Sequence, residues 1–403
     1  MRRAHHSGSR VPGDDGALGA PSPKRAARLV GGAGAWVYNP HVAEAQTAVE
    51  IPPPRAIAAD LSRRVIGQEE AVRELAVALA KKLAGLRVGH ILMIGSSGTG
   101  KTTLMRAVEE LLAARPELAL RSTVVRMHAN VLGEEAERGR PGEAVLWRLL
   151  ERAREQLPGA SVAELIERAR RGLVFVDEID KIRSHIGDRP NVAGIRAQEA
   201  LLTLIENEAI PLRLPEWAGG GVATIDSSGL LFVCAGAFEG LWDAVYDRVT
   251  IGRDRGQLRA TTTLEPGNVQ ERLNFSLQDW LRNEDLFDYG MSPQFLSRFD
   301  AVVLLRDLGV DELVRIFLEA PESGFNLARE YFSTQGKRLT LSPAAVRRIA
   351  AEAARQPRLG ARALKEVFRR VIRDYELDPE AASPGASALL IDLPEVERAL
   401  RRE

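Results

Sequence analysis

The sequence has almost no cysteine, no net charge and no long apolar run. Its 403 residues include one cysteine, Cys234, which allows no internal disulfide and no zinc site built on cysteines. Cys234 lies in the apolar run 230–234 and is expected to be a small, buried side chain. No apolar stretch approaches the roughly 20 residues that cross a bilayer. Because Arg2 and Arg3 are followed by no apolar segment, a secretory signal is not indicated and a cytoplasmic location is expected.

The charges of the chain are balanced. Fifty-five basic residues match fifty-five acidic ones, so no overall attraction to nucleic acid or to an anionic membrane is expected. His128 and His185 are isolated in the sequence and lack metal-ligand spacing, so neither is assigned to a metal site. The length is sufficient for more than one domain and a substantial core. These properties are typical of a soluble enzyme.

The composition divides the chain into three parts. Residues 1–50 are rich in Gly, Ala, Pro, Ser and Arg and contain few large apolar residues. Burial of so few apolar side chains cannot offset the conformational entropy lost on ordering, so this segment is predicted to be a disordered basic tail. The cluster Trp36–Tyr38 within it is either a local apolar contact or a small docking motif. Residues 51–305 alternate short apolar runs with helical periodicity, which predicts a large α/β domain. Residues 306–403 predict a small, mainly helical domain.

Five short apolar runs predict one parallel sheet that is covered by helices on both faces. The runs are 91–94, 124–127, 173–176, 230–234 and 301–305. Ahead of the first run, apolar residues recur at helical spacing from Val72 to Leu83. In the last hundred residues only 338–341 and 388–391 resemble strands.

The most specific motif is GSSGTGKT at 95–102, between an apolar run and a predicted helix 102–113. Its glycines let the backbone wrap a phosphate, and the helix presents its positive end to the same phosphate. Lys101 is suited to reach the outer phosphates, and the Thr102 hydroxyl is suited to hold Mg²⁺. The alternative is a chance glycine-rich turn between a strand and a helix, but such a turn would not require the lysine, the threonine and all three glycines at these positions. The predicted nucleotide-binding residues of the loop are Gly95, Ser96, Ser97, Gly98, Thr99, Gly100, Lys101, Thr102 and Thr103.

A second motif, DEIDK, follows the apolar run 173–176. A buried strand there would place Asp177 and Glu178 at the sheet edge that carries the phosphate-binding loop. Asp177 suits a water-mediated contact to Mg²⁺, and Glu178 suits polarisation of the attacking water. An ordinary polar turn is the alternative, which the loop motif disfavours. Asp180 and Lys181 can be interpreted as no more than a solvated helix start.

Six further segments occur, together with this loop, in the order seen in ClpX, the AAA+ unfoldase subunit of the Clp protease. They are VIGQEEAV (65–72), LVFVDEIDKI (173–182), QEALLTLIE (198–206), LLFVCAGAFEGL (230–241), MSPQFLSRFD (291–300) and LGARALKEV (359–367). The chain therefore resembles the ClpX family over about 51–380. The resemblance implies an AAA+ P-loop NTPase that uses ATP and Mg²⁺ and acts on proteins.

The resemblance also implies roles for individual residues. Val65 and Ile66 would line the adenine pocket. Arg298 matches the arginine finger, which enters the site of the neighbouring subunit, and Arg362 matches the sensor 2 arginine. Without the resemblance, both arginines would be interpreted as surface charges. A finger that acts in trans implies a ring, which is a hexamer in this family, and the sensor 1 position offers only Ala235–Gly236, so no residue is assigned there.

The parts that handle substrate differ from the family pattern. The N-terminal zinc domain of ClpX, which is built on four cysteines, has no counterpart in this sequence. The ClpX pore loop GYVGEDV is matched by GRPGEAV at 139–145, with Arg140 and Pro141 in place of its apolar pair. The segment 131–133 is an alternative candidate for that loop. The Arg-Lys-His loop around the pore entrance of ClpX has no counterpart in residues 211–224. The Ile-Gly-Phe loop that docks on the ClpP peptidase is matched by Ile251–Arg253, and loss of its apolar anchor argues against such docking.

Three hypotheses follow. The first is an ATP-driven remodeller of a protein partner, a homo-hexameric ring without a peptidase of the ClpP kind. The second is a nucleotide-gated ring scaffold with slow hydrolysis that recruits a partner. The third, a motor on nucleic acid, rests on Arg140 and the basic tail and is disfavoured by the neutral charge. The intact motor residues favour the first, and the altered loops favour the second; those motor residues are Lys101, Asp177, Glu178, Arg298 and Arg362.

Overall fold

The structure, a computed structural model, describes residues 50–138, 140, 142–206, 209–251, 260–265, 268–273, 276–382 and 385–401. These residues belong to one compact unit of the chain. The predicted tail up to residue 49, with Trp36–Tyr38, lies outside the described residues, so its disorder stays a prediction. Pro141 and Gly252–Arg253, from the two loops compared with ClpX, also lie outside them.

Thirteen strands lie within the described residues. They are β1 His90–Ile94, β2 Val124–His128, β3 Leu173–Asp177, β4 His185–Ile186, β5 Arg189–Pro190, β6 Ile210–Arg213, β7 Val222–Ile225, β8 Leu231–Gly236, β9 Ala260–Glu265, β10 Asn268–Leu273, β11 Phe299–Leu304, β12 Arg338–Leu341 and β13 Ala388–Ile391. Four two-stranded sheets stand apart from the main sheet: the antiparallel pairs β4–β5, β6–β7 and β9–β10, and the parallel pair β12–β13.

Eighteen α-helices lie within the same residues. They are α1 Pro54–Ser62, α2 Glu69–Leu83, α3 Lys101–Ala113, α4 Pro116–Ala119, α5 Asn130–Glu137, α6 Glu143–Gln156, α7 Val162–Ala169, α8 Val192–Glu206, α9 Leu241–Ile251, α10 Leu277–Trp280, α11 Asn283–Tyr289, α12 Pro293–Leu296, α13 Val310–Glu319, α14 Gly324–Thr334, α15 Pro343–Ala354, α16 Ala361–Leu377, α17 Pro379–Ala382 and α18 Leu393–Leu400. Short 3₁₀ helices occupy Ile179–Ile182, Glu216–Ala218 and Pro357–Leu359.

The main sheet consists of five parallel strands in the order β11–β1–β8–β3–β2. The prediction of a five-stranded parallel sheet is confirmed, because each of the five apolar runs forms one of these strands. Successive side chains of β3 enter two separate cores: Val174 and Val176 one, Leu173 and Phe175 the other. This alternation shows that the strand is buried on both faces, as its unbroken apolar run predicts.

Helices cover both faces of the sheet. The predicted helix from Val72 to Leu83 is α2, and its apolar positions are buried in the core that also contains Phe175. Helix α3 begins at Lys101, one residue before the predicted start. Cys234 is buried in β8, as predicted, and burial raises the pKa of its thiol. None of the helices in the described part of the chain has the length and apolar character needed to cross a membrane.

The C-terminal helical region comprises α13 to α18 with the parallel pair β12–β13. Both strands lie where the sequence predicts them. A third apolar core runs from Leu308 to Val396, and within it Phe317 packs edge-on against Phe368 with ring centroids 5.0 Å apart. The helical character of this region is confirmed, while a domain boundary between residues 305 and 306 stays a prediction.

Candidate nucleotide-binding site

The glycine-rich loop 95–100 joins β1 to α3 at the carboxyl edge of the sheet. Gly98 and Gly100 have φ values of +72° and +105°, in the left-handed region that glycine adopts without strain. Gly100 precedes the first turn of α3, whose free N–H groups therefore face the loop. The loop thus has the backbone of an anion-binding site.

Lys101, the first residue of α3, is a buried cation whose ammonium group contacts this loop. Its Nζ donates hydrogen bonds to the carbonyl oxygens of Gly95, at 2.5 Å, and Ser96, at 2.8 Å. Burial lowers the pKa of Lys101 to about 8, although the nearby carboxylates of Asp177 and Asp180 raise it. A desolvated ammonium of this kind gains strongly from an added anion, because the low local polarity strengthens the attraction.

Thr102 and Asp177, the two predicted Mg²⁺ residues, are brought together. The Thr102 hydroxyl donates a hydrogen bond of 3.1 Å to Asp177 Oδ2, although 75 residues separate them in sequence. The contact arises because β1 and β3 are parallel, so their carboxyl ends lie at the same edge of the sheet. A hydroxyl and a carboxylate are hard oxygen donors, which fit Mg²⁺.

Glu178 follows Asp177 in a backbone conformation that glutamate rarely adopts. Its φ of +59° lies in the left-handed region, and the Asp177 Oδ1 atom accepts a hydrogen bond of 2.9 Å from its N–H. The half-exposed carboxylate of Glu178 lies 3.6 Å from His128 Nδ1. Left-handed non-glycine residues are concentrated at functional sites, which supports the catalytic assignment of Glu178.

Asp180 is buried, so its interpretation as a solvated helix start is wrong. Its Oδ1 atom accepts a hydrogen bond of 3.1 Å from the Ala237 N–H. A Cβ atom on Gly236 would lie 2.7 Å from that same oxygen. The absence of a large polar side chain at the sensor 1 position therefore has a steric reason: the backbone there packs directly on Asp180.

Arg362 approaches the loop from the C-terminal helical region. The N–H of Ala361, the first residue of α16, donates a hydrogen bond of 3.1 Å to the Gly98 carbonyl. The next residue, Arg362, is exposed and lies near enough to Lys101 for its charge to lower the pKa of that lysine. The structure therefore brings the predicted sensor 2 arginine to the phosphate-binding loop.

Val65 and Ile66 are buried in the turn between α1 and α2. Gly67, which follows them, has a φ of +81°. Gln68 comes next, and its side chain donates a hydrogen bond of 3.0 Å to the carbonyl of Thr99. The apolar pair predicted to contact adenine therefore belongs to a segment that is tied to the phosphate-binding loop.

Arg298 is separated from the other predicted site residues. It directly precedes β11, whose first residue, Phe299, pairs with His90 at the start of β1. The loop begins at Gly95, after the end of β1, so Arg298 lies about 20 Å away along the strand direction, at the opposite edge of the sheet. Arg298 forms an ion pair of 2.5 Å with Glu206, the last residue of α8.

The segments compared with pore and docking loops are only partly described. The alternative pore-loop candidate is wrong, because residues 131–133 belong to α5, where Leu132 and Gly133 are buried. Arg140 is exposed and its Nε lies 3.6 Å from a carboxylate oxygen of Glu143. Residues 211–224 form most of the hairpin β6–β7. Ile251, the first residue of the docking-loop match, is largely exposed.

Sequence reasoning missed three residues at this site. His128 lies next to Glu178 because its strand, β2, pairs with β3; the neighbourhood of the two runs in an α/β sheet is a signal that could have found it. The carboxyl group of Asp307 lies beside Ser96, and burial raises the pKa of that carboxyl group. Gln68 lies in the segment 65–72, in which the resemblance to ClpX implies a role only for Val65 and Ile66. The last two contacts are long-range and have no local sequence signal.

Comparison with known proteins gives consistent matches. The family model described as "AAA domain (Cdc48 subfamily)" matches residues 86–302. The chain is similar to the "ATP-dependent Clp protease ATP-binding subunit ClpX 3" of Methylococcus capsulatus, with 31% identity over 80% of this chain and 75% of the relative. It is also similar to the corresponding ClpX subunit of Bacteroides fragilis, with 30% identity over 82% of this chain and 78% of the relative.

A further relative, the ClpX 2 subunit of Wolinella succinogenes, is 28% identical over 80% of this chain and 76% of its own length. The matched segment contains the loop, the acidic pair and the whole parallel sheet except the end of β11. The sequence identity, the coverage and the observed fold agree. The chain therefore belongs to the ClpX family of AAA+ ATPases, which couple ATP hydrolysis to the remodelling of proteins.

Proposed function

We propose that this protein binds ATP with Mg²⁺ at the loop 95–103 and uses hydrolysis to remodel a protein partner. The observation that carries the proposal is the hydrogen bond between Thr102 and Asp177, which joins the phosphate-binding loop to the acidic end of β3. Lys101 lies in the same loop as a buried cation. A phosphate loop, a cation and a pair of metal ligands at one edge of a sheet are what phosphoryl transfer from ATP requires.

The chemical roles follow from the positions of the side chains. Lys101 contacts the outer phosphates, while Thr102 and Asp177 hold Mg²⁺, Asp177 through water. When bound, Mg²⁺ neutralises charge on the phosphates. Glu178 polarises the attacking water, and Arg362 contacts the nucleotide from the first turn of α16. Val65 and Ile66 line the pocket for adenine.

The protein acts as a homo-hexameric ring in this proposal. Arg298 lies about 20 Å from the loop of its own chain along the strand direction, which supports its action on the site of a neighbouring subunit. Large and small domains of 51–305 and 306–403 would then form each subunit, with a cytoplasmic location. This protein does not dock on a peptidase of the ClpP type, because Arg253 replaces the phenylalanine that anchors ClpX on its peptidase.

The second candidate function is a nucleotide-gated scaffold that hydrolyses ATP slowly. It is favoured by one observation: exposed Arg140, paired with Glu143, stands where the family has an apolar grip on the substrate. ATP turnover, measured together with the mass of the protein in solution with ATP, separates the two candidates. Turnover by a hexamer supports the remodeller, whereas tight ATP binding with negligible turnover supports the scaffold.

Lys101→Ala is expected to weaken ATP binding by about 10- to 150-fold, the effect of losing charge-assisted hydrogen bonds at a buried site. The measurement is titration with a fluorescent ATP analogue in the presence of Mg²⁺. Lys81→Ala, which removes an exposed lysine of α2, is the control and is expected to bind as the parent protein does. Equal affinities of the parent and Lys101→Ala would contradict the assignment of the loop.

Gly98→Ala is expected to displace α16 from the loop and to weaken nucleotide binding by at least about tenfold. The Cβ atom added at residue 98 would lie 2.2 Å from the Leu359 carbonyl oxygen, and the φ of Gly98, +72°, is one that alanine rarely adopts. Gly85→Ala is the matched control, because Gly85 has a similar φ of +78° but no atom within 4 Å of an added Cβ. If both variants bind nucleotide equally well, the contact between α16 and the loop has no part in binding.

A further inference from the structure

The side chain of Gln68 connects two parts of the site that are far apart in sequence. Its Nε2 donates one hydrogen bond of 3.0 Å to the Thr99 carbonyl in the phosphate-binding loop, and another of 2.8 Å to the Arg306 carbonyl. Its Oε1 accepts a hydrogen bond of 3.1 Å from the Arg306 N–H. Gln68 is only 3% exposed, so its planar amide is held on three sides by backbone groups.

Arg306 belongs to the connecting segment, residues 305–309, which leads from β11 to α13. The segment is fixed to the loop at further points. The Leu305 N–H donates a hydrogen bond of 2.7 Å to the carbonyl of Ile94, the residue before the loop. The carboxyl group of Asp307 lies beside the Ser96 side chain of the loop, and Leu308 is buried in the core of the C-terminal helical region.

These contacts form a continuous chain from the loop to the helical region. A shift of the Thr99 carbonyl would be transmitted through the rigid amide of Gln68 to both backbone groups of Arg306. The Arg306 side chain extends the same chain, because it forms ion pairs with Glu69 of α2, at 3.5 Å, and Glu312 of α13, at 2.8 Å. The loop that holds phosphate and the first turn of α13 are therefore linked by one buried amide.

We propose that Gln68 is a positioning residue that couples nucleotide binding in the loop to the placement of the C-terminal helical region. The inference rests on the proposed function, because it requires nucleotide to occupy the loop. Gln68 contacts no reacting group. It acts by making Thr99 and Arg306 move together, so that the helical region responds to the nucleotide that the loop holds.

Gln68→Leu removes all three hydrogen bonds with little change in size, and Gln68→Glu keeps the acceptor for the Arg306 N–H but loses both donors. Gln198→Leu is the matched control. Gln198 is also 3% exposed and donates to two backbone carbonyls, at 2.8 and 3.0 Å, and accepts from one N–H, at 2.8 Å, but none of them belongs to the loop or the connecting segment. Any general effect of deleting a buried amide is therefore shared by the control.

The experiment measures the distance between two spin labels by pulsed electron paramagnetic resonance. The labels are placed at Leu120→Cys, 55% exposed, and Leu377→Cys, 86% exposed, in a Cys234→Ala background and diluted with unlabelled protein. Distances are recorded without nucleotide, with ADP and with a non-hydrolysable ATP analogue plus Mg²⁺. Nucleotide affinity and ATP turnover are measured on the same samples.

The parent and Gln198→Leu proteins are expected to change their distance distribution when nucleotide binds. In Gln68→Leu and Gln68→Glu this response is expected to be lost, with turnover reduced about tenfold and affinity changed far less. A parent-like response in both Gln68 variants would overturn this inference alone. Failure of the parent protein to bind nucleotide would overturn the proposed function and this inference with it.

Discussion

Glu178→Gln is expected to lower ATP turnover by about 10²- to 10⁴-fold while leaving ATP affinity close to that of the parent protein. Glutamine keeps the shape of the side chain but cannot polarise or accept a proton from the attacking water. The binding parts, Lys101 and the pair Thr102–Asp177, remain intact in this variant. The variant should therefore bind ATP and retain it without hydrolysing it.

The test is a single-turnover assay with radiolabelled ATP, together with equilibrium binding of the same nucleotide. Glu117→Gln, which changes an exposed glutamate of α4, controls for the general loss of one negative charge. Turnover near the parent value in Glu178→Gln would remove this residue from the mechanism. A parallel loss of affinity and turnover would instead assign it to binding.

Arg298→Ala is expected to reduce turnover by about 10³- to 10⁵-fold, the range found for arginine fingers in related chemistry, with a much smaller change in affinity. The guanidinium stabilises charge that develops on the transferred phosphate, so its loss affects the transition state more than the bound ground state. Arg298 is 46% exposed and paired with one glutamate. Arg315→Ala is a suitable control, since Arg315 is 55% exposed and also paired with one glutamate.

Mixing two inactive variants tests whether the finger acts between subunits. Arg298→Ala has an intact loop but no finger, whereas Lys101→Ala has an intact finger and a defective loop. Mixed rings contain interfaces in which both parts are intact, so activity should reappear on mixing. Co-assembly without any recovery of turnover would show that Arg298 does not complete a neighbouring site.

Most of the fold could be predicted because burial leaves a simple pattern. The five runs that form the sheet are continuous and apolar, since each strand is covered on both faces, and the weaker runs 338–341 and 388–391 also form strands. Strand ends were less predictable: β8 extends to Gly236, two residues beyond the predicted run. The segment 131–133 could be mistaken for a loop because a glycine interrupts it, and only its packing against α8 identifies the helix.

The site was predictable where its residues follow one another in the chain. The loop 95–102 and the pair Asp177–Glu178 are local motifs, and parallel strands bring them together. The bond between Gln68 and Arg306 spans 238 residues, so no local pattern reveals it. The burial of Asp180 has no local signal either, because its carboxylate accepts a hydrogen bond from Ala237, which follows β8 and lies 57 residues away.

The buried position of Cys234 makes its thiol a natural probe of how often the central sheet opens. The sequence contains a single thiol, and in the folded chain it lies inside β8, the central strand of the sheet. A thiol reagent can reach it only when the sheet opens, so the rate of modification reports the frequency of that opening. Because β8 lies between the strands that carry the loop and the acidic pair, the same rate measures how long the two halves of the site stay together.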